Sequence, residues 1–280
     1  MNPTHPLPTH PLPTRALPGR ALLTRRLLTV AVIGATMAAQ AGTVAYADHR
    51  RTGIVFSETF DALSVGPGGT WGWQTAAYAQ CVTNPNDAKL DHLTTDALST
   101  ADGRLTITAT RRPDGYWNTG LITTGDSCDS GGGLAEVRTG DTILAHVRLP
   151  DTGSGAWPAL WTWRDGGNEL DIFEWHSDRT DSLEFANHLG HSNVLYTAPG
   201  IGPGQWVWVG AHLGADNVSW LVGTDPDRLT VAYEDHVGVG PDFVSYPVFG
   251  LSINNGNFHA APDTDEPVTL GIDILTIQRP

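Results

Sequence analysis

The sequence is poor in positive charge: its 280 residues include one lysine, Lys89, and 16 basic residues in all against 30 acidic ones, for a formal net charge of −14. Such a chain is badly equipped to neutralise a row of phosphates or sulfates, which argues against nucleic acid, anionic lipid and heavily sulfated polysaccharide as partners. A neutral polymer remains compatible. Cysteine is scarce too, and the two present, Cys81 and Cys128, have the spacing of neither a zinc site nor a redox pair. Apolar runs are short, with none reaching the roughly 20 residues that a membrane-spanning helix requires. No amphipathic helix of ten or more residues can be traced.

The first residues read as a leader. Arg25 and Arg26 precede an apolar run from Leu27 to Ala39 and then the small-residue pattern Ala45-Tyr46-Ala47, the layout of a secretory signal cut after Ala47. Thr24-Arg25-Arg26-Leu27-Leu28 is similar to a twin-arginine signal, so both Sec and twin-arginine export stay open. Upstream, Thr4 to Pro8 repeats as Thr9 to Pro13, a Pro-rich element that supplies no core and goes with the leader. Residues 1–47 hold four arginines and no acid, so the remainder carries 12 basic residues against 30 acids and is strongly acidic. In an exported chain Cys81 and Cys128 can pair, closing a loop that adds roughly 4 kcal/mol in the chain-entropy model; two buried free thiols are the alternative.

From Gly53 onward, period-two alternation recurs, as in Leu105-Thr106-Ile107-Thr108-Ala109-Thr110, the pattern of half-buried strands. Similar segments are Ile143 to Leu149, Ala159 to Trp163, Glu169 to Trp175, Leu183 to His188, Trp206 to Leu213, Leu229 to Tyr233, Phe249 to Asn254 and Thr269 to Ile277. Turn chemistry separates them at Asp102-Gly103, Gly125 to Gly133, Asp151 to Gly155, Asp165-Gly166-Gly167, Pro199 to Gly204 and Pro262 to Pro267. The triplet Gly131 to Gly133 opens no helix and precedes no lysine, so it reads as a surface loop, not a phosphate loop. The expected fold is all-β: one domain over residues 48–280, a jelly-roll sandwich of two antiparallel sheets.

Gly167-Asn168-Glu169-Leu170-Asp171-Ile172-Phe173-Glu174-Trp175-His176 places three acids inside a strand-like apolar run. In a regular strand Glu169 and Asp171 share a face and Glu174 points to the other; a one-residue bulge at Ile172-Phe173 brings Glu174 back beside them. Acids crowded on an interior strand repel one another and call for a reason. Glycoside hydrolysis supplies one, because it pairs a carboxylate with a carboxylic acid that its neighbours keep protonated. On one bulged strand the two glutamates are expected about 5–5.5 Å apart, the separation of a retaining glycosidase. Just upstream, Trp157, Trp161 and Trp163 share parity and therefore a strand face. Indole faces stack on sugar rings without demanding charge, and Trp175 and Trp117 join these three as candidate sugar contacts. His188, in the strand after the acids, is placed to reach the same cleft.

Trp157-Pro158-Ala159-Leu160-Trp161 followed by Glu169-Leu170-Asp171-Ile172-Phe173-Glu174 resembles glycoside hydrolase family sixteen, the laminarinase, lichenase and agarase group. Phe56 to Phe60, Asp102 to Leu105, Ile143 to Pro150, Phe249 to Asn255 and Gly271 to Leu275 are similar to further strands of that family, and the six-residue bulged motif resembles its laminarinase branch. The resemblance implies a concave sheet carrying the substrate cleft, with Glu169 as nucleophile, Glu174 as acid/base and Asp171 as helper. It implies hydrolysis of a neutral β-glucan by a secreted enzyme that needs no cofactor, with a structural calcium in relatives held by an acid in the position of Asp273. The chain is expected to act as a monomer. Leu144 and His146 depart from the family, standing where many relatives have Glu and Arg; so does Asn168, where Gly is frequent.

Three rival readings have less support in the residues. A zinc site of His176, His188 and His191 lacks a fixed ligand spacing. A Ser-His-Asp hydrolase lacks a serine in a Gly-x-Ser-x-Gly turn. A non-catalytic, lectin-like sandwich would use the tryptophans but has no need of a buried acid pair.

Overall fold

Strands that are apolar on one side and polar on the other bury the first against a second sheet, and this chain repeats that pattern from Gly53 onward. The computed structural model describes residues 53–85, 88–151 and 155–280. The leader over residues 1–47 lies outside them. In chain order the strands are β1 (Gly53–Glu58), β2 (Asp91–Leu93), β3 (Leu98–Ala101), β4 (Arg104–Arg111), β5 (Trp117–Thr119), β6 (Leu121–Thr123), β7 (Val137–Arg138), β8 (Thr142–Arg148) and β9 (Ala156–Trp163). They continue as β10 (Leu170–Glu174), β11 (Ser182–Asn187), β12 (Ser192–Thr197), β13 (Trp206–Leu213), β14 (Val218–Gly223), β15 (Thr230–Asp235), β16 (Val244–Ile253) and β17 (Val268–Arg279). No α-helix occurs among the described residues.

One sheet runs β15-β14-β13-β8-β17-β4-β5-β2, with β1 also on β17 and β3 also on β4; the other runs β12-β11-β10-β9-β16-β6, with β7 also on β16. Together they form a jelly-roll sandwich. Every strand pair is antiparallel except β2 with β5, a departure from two purely antiparallel sheets. More than twenty residues, including β3 and β4, separate these two short strands, enough for the chain to return in the same direction.

Leu105, Ile107 and Ala109 of β4 face Leu160 of β9, Phe173 of β10 and Phe249 of β16 in one buried cluster between the layers. Trp117 and Trp175 belong to this cluster, 0% and 1% exposed, which corrects their reading as sugar contacts. Trp175 is one residue past Glu174 and so turns to the opposite face, where its indole donates to the Thr180 carbonyl at 3.1 Å. Trp117 follows the inward parity of its short strand. Cys81 and Cys128 form a disulfide, with Cα atoms 6.2 Å apart, joining the loop before β2 to the loop after β6.

Candidate active site

The site begins at a hairpin. Arg164 and Gly167 exchange two backbone hydrogen bonds of 2.9 and 3.0 Å around Asp165 and Gly166, whose φ values of 51° and 79° make the two-residue primed turn that suits a twisted β-ribbon. Asn168 follows at φ 53°. Asparagine is among the few residues that tolerate such left-handed backbone. Asn168 is fixed by its carbonyl, which accepts from Thr162 Oγ1 at 2.8 Å and Ser245 Oγ at 2.9 Å, and by its amide, which donates to the Val244 carbonyl at 3.0 Å. Glu169 emerges from this anchored kink.

Next comes the bulge. Across to β9, Asp171 sits opposite Trp161, Phe173 opposite Leu160 and Glu174 opposite Ala159, so Ile172 is the extra residue. That single insertion swings Glu174 onto the face of Asp171. The face also carries Trp157, Ala159, Trp161 and Trp163 of β9, and it floors a cleft of about 540 Å³ lined by all three acids, the three tryptophans and His188.

Glu174 Oε1 accepts the Trp157 indole N–H at 2.6 Å. Burial, then the charge of Asp171, pushes its carboxyl up to about 8, against the opposing charge of Lys89 and the Trp157 hydrogen bond. Glu184 of β11 lies directly across from it but is itself held by Arg179 and Asn193. Asp171, 5% exposed, has Oδ2 within 2.9 Å of His188 Nε2, which is also 4.0 Å from Glu169 Oε1. The His188 backbone N–H reaches the Glu169 carbonyl at 3.3 Å, which sets the ring beside the acids. The hydrogen bond to Asp171 raises the imidazole to about 9 against the effect of burial, with the charges of Asp171, Glu169 and Glu174 adding to the rise. His188 is therefore a cation at neutral pH.

The three histidines weighed as a zinc set do not meet: His188 is on Asp171, His191 is exposed, and His176 stacks on His259 with ring centroids 3.5 Å apart. His176, Glu184 and His259 do converge, yet a guanidinium nitrogen of Arg179 already binds Glu184 and lies 3.2 Å from His259 Nε2. A cation in that position opposes a second one. Asp273 is likewise engaged, by His146 at 3.0 Å and Arg104 at 3.6 Å, a cation-paired acid whose surroundings do not fit calcium.

Several cleft residues were invisible in the sequence because they arrive from distant loops: Tyr78, Lys89, Phe258 and His259. His259 is tied to Asp178 at 3.0 Å, and its neighbour Phe258 is held out 66% exposed on the rim. That only one lysine exists was the available signal for Lys89.

Scanned against protein-family models the chain matches none, and no curated protein matches it. Solved structures do match. An endo-β-1,3-glucanase from Pyrococcus furiosus superposes with a TM-score of 0.65 at 16% identity, covering 81% of this chain and 94% of that one. The laminarinase catalytic domain from Thermotoga maritima MSB8 gives 0.65 at 19%, covering 82% and 98%. A non-specific endo-β-1,3(4)-glucanase from family GH16 gives 0.61 at 17%, covering 81% and 91%. The chain has the laminarinase-like sandwich fold.

Proposed function

We propose that the protein is a secreted endo-hydrolase of neutral β-glucans, with β-1,3 or mixed β-1,3-1,4 linkages, that retains anomeric configuration. The observation that carries this reading is the bulge at Ile172, which gathers Glu169, Asp171 and Glu174 on one tryptophan-lined face with Glu174 raised to stay protonated near neutrality. A carboxylic acid beside ionised carboxylates is the electrostatic arrangement that glycoside cleavage uses. Its structural neighbours are named as endo-glucanases, which supports internal attack on this substrate class. The disulfide supports export, since such bonds persist in oxidising compartments. A non-catalytic sugar-binding role would leave the cost of a buried, protonated Glu174 without a return.

In the proposed reaction Glu169 attacks the anomeric carbon while Glu174 gives its proton to the departing glycosidic oxygen. The cation of His188, against Asp171 and near Glu169, sets a positive charge between these two carboxyl groups. Once Glu169 is an ester its charge is gone, the Glu174 carboxyl becomes more acidic, and it takes a proton from the water that releases the sugar. Trp161 and Trp163 offer ring faces to the glucan. Purified protein incubated with β-1,3-, mixed-linkage and β-1,4-glucans and with a galactan is expected to yield a ladder of oligosaccharides from the first or second. Cleavage confined to the galactan, or no cleavage at all, overturns the reading.

A further inference from the structure

The only lysine of the chain stands in the cleft. Its backbone is fixed from both sides: Lys89 bridges Asn254 just beyond β16, Leu90 N–H donates to the Ile253 carbonyl at 2.8 Å, and Asn255 N–H to the Ala88 carbonyl at 2.9 Å. From that anchor the ammonium reaches over three rings, 4.5 Å from the centre of Trp157, 5.3 Å from Tyr78 and 6.0 Å from Trp161. Two of these rings lead to carboxyl groups. The Trp157 indole donates to Glu174 Oε1 at 2.6 Å, and the Tyr78 hydroxyl donates to Asp91 Oδ2 at 2.7 Å.

A cation above an indole attracts the electron-rich ring face and polarises its N–H toward an acceptor. The ring thus transmits the lysine to Glu174 by two routes, by orientation and by charge. Other titratable and charged groups surround Glu174: Asp171 and Glu169 on its own segment, Glu184 with Arg179 from β11 and the turn before it, His188 beyond β11, His259 with Asp178, and Asp91 behind Tyr78. His176, buried against Trp157, is pushed down to about 3 by burial and by His259 and stays neutral. Asp171 and Glu184 disfavour a charged Glu174, and Lys89 opposes them.

We propose that Lys89 is a positioning residue for Glu174: it seats the Trp157 indole so that the N–H stays on Oε1, leaves Oε2 for the reaction, and supplies the positive charge that lets one carboxyl act as acid and then as base. This rests on the reading of Glu174 as the acid/base. Without Lys89, Glu174 gives up its proton to the leaving group less readily, so the first half of the reaction suffers, while its carboxylate still takes a proton from water in the second.

The test reads Glu174 without needing turnover. In ¹H–¹⁵N spectra of the folded protein the Trp157 indole resonance is identified by its loss in Trp157→Phe, and its shift is followed against pH; Glu174→Gln abolishes the titration. Lys89→Met is expected to move the midpoint up by about one pH unit. Lys89→Arg leaves it near the wild-type value, as does reductive dimethylation of the wild type, which keeps the charge on this lysine. Acetylating the folded wild-type protein removes the charge without a mutation and reproduces the Lys89→Met shift even if that variant does not fold. An unchanged midpoint after charge removal overturns the proposal, as does an equal shift in Lys89→Arg. In the same samples the basic limb of kcat/KM on a β-glucan moves with the midpoint. If wild-type protein hydrolyses no glucan, the glucanase reading falls, while the midpoints still decide the role of Lys89.

Discussion

The indole N–H of Trp220, on β14 of one sheet, donates to the backbone carbonyl of Asp171, on β10 of the other, at 2.8 Å. The acceptor lies where β10 loses register with both of its neighbours, so an indole from across the core satisfies a carbonyl at the break in the ladder. Trp220→Phe keeps most of the packing and leaves that carbonyl without this donor, at a cost of about 1–3 kcal/mol. Because the bulge aims Glu174, kcat is expected to fall about ten- to a hundredfold as well. Denaturant unfolding and steady-state kinetics check both; a variant with wild-type kcat shows that the bulge holds without Trp220.

Glu174→Gln separates activity from stability. The native carboxyl keeps its proton up to about 8, whereas the unfolded chain releases it near 4.5, so wild-type stability falls as pH rises across that window. Glutamine has no proton to release. The variant is expected to lose activity by about a hundredfold or more, to melt above wild type at pH 8 and to lose that advantage near pH 4. Melting temperatures at the two pH values decide it, and a variant that melts below wild type at pH 8 contradicts the assigned cost.

His188 carries the same sign of pH dependence over a higher window, but as a favourable ion pair and not as the cost of a buried charge. Its imidazole is raised from 6.5 to about 9, so the native state holds a proton more tightly than the unfolded chain. The resulting stabilisation is complete below about pH 6.5 and disappears as pH climbs through 9. His188→Gln is therefore expected to melt below wild type at pH 6 and close the gap by pH 9.5. A gap that is constant with pH refutes the ion pair with Asp171.

Two aromatic residues with opposite surroundings give a matched control. Phe258 is 66% exposed on the cleft rim, whereas Trp175 is 1% exposed in the core. Phe258→Ala is expected to change stability by less than about 0.5 kcal/mol and to raise KM for long glucans more than for short oligosaccharides. Trp175→Ala is expected to cost about 3–5 kcal/mol. Equal KM values for wild type and Phe258→Ala on long glucans remove the rim platform.

Parity carried most of what the sequence made legible. Trp206 to Leu213 matches β13 residue for residue, and the odd spacing of Glu169 and Glu174 was enough to require a bulge, which falls at Ile172. The shared parity of Trp157, Trp161 and Trp163 put them on one face of the cleft. For Trp175 position outweighs aromatic type: its parity, one past Glu174, turns it inward. β14, buried along nearly its whole length, shows no alternation to detect, and with it went Trp220. Lys89 and Phe258 reach the acids from about 80 residues away on either side, and no local pattern encodes such a meeting.

The proposed double displacement by Glu169 and Glu174 leaves a stereochemical signature that time-resolved ¹H NMR of a β-1,3-glucan digest reads. The β-anomer of the new reducing end is expected to appear first and mutarotate to α, with no new reducing end formed by Glu169→Gln. An α-anomer appearing first, or undiminished cleavage by Glu169→Gln, contradicts it.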